Sequence, residues 1–93
     1  MDSPLDERQA KRRVTQMEEI ADSMRALAEG ELSEAIGGIE AAWGGEASDL
    51  FLRHCYETRR RIVARSAEMH KQAQQIREAI NRAERAGSGG VEP

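Results

Sequence analysis

Few residues in this 93-residue chain could do chemistry, and their spacing limits what that chemistry could be. His54 and Cys55 are adjacent, and a thiol beside an imidazole is the raw material of a nucleophile or a metal site. On a helix, neighbours in sequence point about 100° apart and do not converge on one atom. The other histidine, His70, is sixteen residues further on, and no CxxC or HExxH spacing accompanies either histidine. Cys55 is therefore expected as a small packing residue, and both histidines as surface groups. Glu18–Glu19 and Glu29, Glu31 and Glu34 supply clustered carboxylates, but no neighbouring group to shift their protonation, so they read as a solvated helix face. Arg59, Arg60 and Arg61, with Arg53 and Arg65, form the one basic patch. Three consecutive arginines fan around a helix, only Tyr56 interleaves them, and the net charge of −3 opposes a nucleic-acid role. The expectation is a protein that is not an enzyme, holds no cofactor or metal, and binds no nucleic acid.

The elements that carry these residues follow from punctuation and periodicity. The two prolines, Pro4 and Pro93, leave the chain between them free to be helical. Ser3-Pro4-Leu5-Asp6 reads as a helix start, with Ser3 as N-cap and Pro4 at the first helical position. From Val14 the apolar residues recur mostly at steps of three and four: Met17, Ile20, Ala21, Met24, Leu27, Ala28, Leu32, Ala35, Ile36, Ile39 and Ala42. Gly30, Gly37 and Gly38 weaken this helix, and mark either a bend or a close approach by another helix. Trp43-Gly44-Gly45 then ends it. The pattern restarts at Ala47, Leu50 and Phe51, and continues in sevens through Cys55, Ile62, Met69, Ile76 and Ala83, trailed by Ser66, Ala73 and Ile80. Gly87-Ser88-Gly89-Gly90 is expected to end the second helix. The fold class is thus all-α: helix one near 6–42, a turn at 43–46, helix two near 47–86 and a disordered tail at 87–93.

Composition says that one such hairpin is not enough. Charged residues are 33% of the chain, and Trp43, Phe51 and Tyr56 are its only aromatics, which points to long helices that need a partner. Residues 1–42 carry ten acids and five bases, and residues 46–86 carry six acids and nine bases, so the two arms attract when antiparallel. The expected seam, within the hairpin or between hairpins, is Met17, Met24, Leu32, Ile39, Phe51, Cys55, Ile62, Met69, Ile76 and Ile80. Two hairpins are expected to pack into an antiparallel four-helix bundle. A single cysteine gives no internal disulfide. The start MDSPLDERQAKRRV has no apolar run of signal-peptide length, so synthesis in the cytoplasm without a leader, and no membrane insertion, are expected.

A chain of this length with two helical halves around a central Trp43-Gly44-Gly45 resembles the WXG100 (ESAT-6-like) family, as do Ala47 and Phe51 on the first turns of helix two. The resemblance covers about residues 8–86. It implies a bacterial type VII secretion substrate or secretion partner: a folded dimer, exported or surface-associated, read by the export ATPase. The partner would be a second copy, a related protein or the helical N-terminal part of a toxin. In the family, the Trp-X-Gly turn combines with a Tyr-x-x-x-Asp/Glu segment after helix two to form an export signal. The corresponding residues here are Ile80 and Glu84, with Ile80 where tyrosine is usual; Tyr56 lies too early and has Arg60 at the acidic place. A structural or chaperone-like helical module unrelated to export is the alternative.

Overall fold

The computed structural model describes residues 4–91, with side chains from Asp6 to Gly87. It holds three helices, α1 (Pro4–Glu29), α2 (Glu31–Ala42) and α3 (Glu46–Val91). Together α1 and α2 form one arm of an antiparallel hairpin and α3 the other. The result is a rod of 74 × 16 × 15 Å. Its radius of gyration is 20.7 Å, against about 12 Å for a compact chain of this length. No helix among the described residues is long and apolar enough to cross a membrane.

The stretch expected as a single helix over 6–42 is two segments, and Gly30 is the reason. Its φ of −104° and ψ of −97° leave the helical region. A Cβ there would stand 2.9 Å from the Ala26 carbonyl oxygen. The bend leaves no polar group stranded. Gly30 donates to Ala26 O, Glu34 donates to Gly30 O, and the Ser33 hydroxyl donates to Ala28 O at 2.8 Å. The bend also resets the register. Buried residues fall seven apart at Val14, Ala21 and Ala28, then eight on at Ile36. The extra residue is absorbed at Gly30, so Ile36 still turns inward.

On α3 the buried residues are Ser48, Leu52, Ser66 and Ala73, with Arg59 and Ile80 half-buried in the same sevenfold line. The centre of the hairpin is therefore made of small groups: Ala21, Ala28, Ser66 and Ala73 are each at most 1% exposed. Small side chains let two helices approach closely without voids. At this line the Ser66 hydroxyl donates to the Ala21 carbonyl oxygen at 2.7 Å. At the other end, α3 runs to Val91, past the glycines expected to stop it at 86. Ser3, Glu92 and Pro93, with the expected N-cap and the last of the expected tail, lie outside the described residues.

Candidate interaction surface

Helical geometry divides the hairpin into two unlike sides, one on each edge of the buried line. One edge is polar and zipped. Lys11 Nζ meets Glu84 Oε2 at 2.9 Å, Arg77 meets Glu18 at 2.6 Å, and His70 Nε2 meets Asp22 at 2.9 Å. Towards the turn, Arg59 donates to Ser33 Oγ at 3.0 Å and the Tyr56 hydroxyl to Glu40 at 2.8 Å. The Arg59 guanidinium lies 5.0 Å from the Tyr56 ring centroid. The Glu40 carboxylate, which accepts the phenolic hydrogen bond, raises the Tyr56 pKa above its ordinary 10.0. Partial desolvation and the Glu40 charge add to this, and Arg59 opposes it. These pairs are largely solvated, so they set register more than they add stability.

The opposite edge is apolar and open. Met17, Ile20, Met24 and Leu27 line it on α1, and Cys55, Ile62, Met69 and Ile76 on α3. Ile20 is 52% exposed, Leu27 48% and Ile76 40%. The two methionines of α1, with Cys55, Ile62 and Met69, are half-buried, sharing themselves between the hairpin centre and this edge. Exposed Gln16, Ser23, Thr58 and Gln72 border it, with Arg65 between the last two in the same sevenfold line. An apolar strip with a polar rim that runs along a rod is the form of a protein-binding surface.

At the turn, Trp43 caps α2 in an extended conformation, with φ −130° and ψ 123°. Its N–H donates to Ile39 O at 2.9 Å, and its carbonyl accepts the Ser48 hydroxyl at 2.8 Å. Gly45, at φ +103°, turns the chain into α3 in a conformation that a side chain resists. The indole packs on Phe51, centroids 5.7 Å apart and planes at 51°, yet Trp43 stays 45% exposed. The ring thus stands on the surface, packed on Phe51.

The expected seam residues divide between the two environments. Met17, Met24, Leu32, Ile39, Cys55, Ile62, Met69 and Ile80 are half-buried, while Phe51 and Ile76 are exposed and lie outside the hairpin's own centre. Of the two residues matched to an export signal, Ile80 is half-buried and Glu84 is held by Lys11. Gly37 and Gly38 have nothing within 4 Å of an added Cβ, so no helix of this chain approaches them. His54 and Cys55 make no hydrogen bond to each other, and no group of three His, Cys, Asp or Glu side chains among the described residues could hold a metal ion. Leu52 and Ser48 escaped the sequence reading. Leu50, Phe51 and Leu52 are adjacent apolar residues that hydrophobicity does not separate; only the phase set by Ser66 and Ala73 does.

Charge varies along the rod as well as around it. The turn third, residues 31–57, carries six acids and one base, whereas the open end, residues 6–17 with 74–87, carries seven bases and four acids. No protein-family description, curated protein or solved structure matches the chain. The WXG100 resemblance therefore rests on the residues themselves.

Proposed function

We propose that this protein works by pairing: its apolar edge takes a second copy of the same hairpin, antiparallel, and the resulting four-helix bundle serves as a type VII secretion substrate or secretion partner read by the export ATPase. The observation that carries the pairing is the open strip of Ile20, Leu27 and Ile76 opposite a zipped polar edge. Surface area argues the same way. The chain exposes 7106 Å², where a compact protein of its mass exposes about 5,400 Å². The excess per chain is about twice the roughly 800 Å² that each partner buries in a standard interface. The charge gradient favours the antiparallel arrangement, which lays the acidic turn of one rod beside the basic open end of the other.

The secretion role rests on the Trp43-Gly44-Gly45 turn at the midpoint of the chain, with its rigid, exposed indole beside Phe51. Tryptophan is among the residues that most often anchor protein interfaces. One observation favours the second reading, a chaperone-like helical module unrelated to export: the Glu84 carboxylate is engaged by Lys11 and Ile80 is half-buried, so neither is free for an export factor in the lone hairpin. Co-expression with a type VII machine separates the two. The secretion reading requires the protein outside the cell, and retention of Trp43→Ala inside it. Equal export of both proteins, or of neither, contradicts that reading and leaves the pairing untouched.

A further inference from the structure

The apolar edge has an internal order, and each arm repeats it about one methionine. On α1, the exposed Ile20 and Leu27 are seven residues apart and so lie on one side of the helix, with Met24 between them. On α3, Ile62 and Ile76 are fourteen residues apart, again on one side, with Met69 midway. Read outwards from Met24, an aliphatic residue comes within four positions in either direction. Read outwards from Met69, an isoleucine comes at the seventh position in either direction. A face ordered in this way matches its own reverse.

The structure adds that the two centres stand at one height in the rod. His70 meets Asp22, and Arg59 meets Ser33. The arms are antiparallel, so two residues on from Asp22 is two residues back from His70. Met24 is therefore level with Glu68, next to Met69. The same level is the middle of α3, which runs from Glu46 to Val91. A twofold axis across the rod carries each arm onto its own copy, so it requires both arms to be centred at one height. The contacts that satisfy this requirement are on the polar edge and in the hairpin centre, away from the apolar edge itself.

We propose that the twofold axis of the pair crosses the rod at Met24 and Met69, so that α1 lies antiparallel on α1 of a second copy and α3 on its α3. This rests on the pairing stated under Proposed function and fixes which residues meet within it. Such an axis carries each flank of a helix onto the same flank of its mate, so residues on one side meet their own side. Ile20 then meets Leu27 of the other copy, Ile62 meets Ile76, and Met69 meets Met69. The charges bordering the edge also tolerate this register. Arg65 meets Gln72, and Arg13 comes level with Ala35, so neither arginine meets a like charge. Both arms of a second identical chain satisfy these matches at once, which makes the chain its own best partner.

Disulfide mapping tests the axis. Cysteines are placed singly in Cys55→Ser protein, and oxidised dimers are read on non-reducing gels, with light scattering on the same samples. Met69→Cys is expected to link to its own copy. Arg65→Cys and Gln72→Cys alter exposed positions and leave the hairpin centre intact. They are expected to link when the two proteins are unfolded, mixed and refolded together. Each alone should stay unlinked, because its own copy then stands seven residues away, about 10 Å along the helix and beyond disulfide reach. Parallel rods would instead lay α1 on α3 of the second copy and link Met24→Cys to Met69→Cys. That link, or a dimer in which the mixed Arg65→Cys and Gln72→Cys proteins do not join, overturns the axis and leaves the pairing standing. A chain that stays at single-chain mass overturns the pairing, and the axis with it.

Discussion

The Ser66 hydroxyl donates across the hairpin to the backbone carbonyl of Ala21 at 2.7 Å, and both residues are at most 1% exposed. A hydroxyl buried at the closest point of two helices has one good acceptor in reach, so the bond fixes how α3 sits along α1. Losing it by Ser66→Ala is expected to cost about 1 kcal/mol. Ala21→Leu, which forces a large side chain into the same line, is expected to cost about 1–3 kcal/mol. Urea unfolding followed by circular dichroism measures both. Equal stability of Ala21→Leu and wild type would contradict the close packing.

The glycines of the first arm separate by environment. Gly37→Ala and Gly38→Ala add a methyl group to open space, so each is expected to stabilise the isolated hairpin by about 0.5–1 kcal/mol. Gly30→Ala brings its Cβ to 2.9 Å from the Ala26 carbonyl oxygen and is expected to lose that gain by straining the bend. Thermal melts of the three variants check the order.

These cases show how far the sequence could be read. Helix type, the turn at Trp43 and the pairing of two arms follow from punctuation and from steps of three and four. The two sides of the stripe do not. Ile20 and Leu27 share the period of Ala21 and Ala28, yet the former pair is exposed and the latter buried. Which member of each pair faces inward depends on the partner helix, because Ala21 is opposite a serine and leaves room only for small groups. The bend at Gly30 was one of two readings left open for the arm's glycines, since a glycine alone does not declare which applies. The polar edge was invisible because Lys11–Glu84, Glu18–Arg77 and Asp22–His70 join residues far apart in sequence.

Tyr56 is the only tyrosine, so its ionisation can be followed by ultraviolet absorbance without ambiguity. Its hydroxyl loses a hydrogen bond to Glu40 on deprotonation and then faces that carboxylate as a like charge, which raises its pKa above 10.0. The sign follows directly. A raised pKa in the folded protein gives stability that is present below the unfolded value of 10.0 and is lost as pH climbs through the folded value. The titration midpoint is expected above 10.0 in the native protein, lower in Glu40→Gln, and back at the ordinary value in urea. A native midpoint unmoved by Glu40→Gln would contradict the assignment.

Trp43 is mounted by its backbone bonds to Ile39 and Ser48 while its ring lies on Phe51 at the surface. Trp43→Ala is therefore expected to leave helical content nearly unchanged and to weaken assembly with a partner. Circular dichroism reads the first and light scattering the second. A large loss of helix would mean that the indole supports the hairpin itself.

The central claim is that the apolar edge of Ile20, Leu27 and Ile76 is covered by a second hairpin. Light scattering measures it most directly, with wild type beside a variant carrying Ile20→Glu and Leu27→Glu. The account predicts twice the chain mass of 10.4 kDa for wild type and the single-chain mass for the variant. A wild-type protein that is fully helical at the single-chain mass, or a variant that pairs as well as wild type, would contradict it.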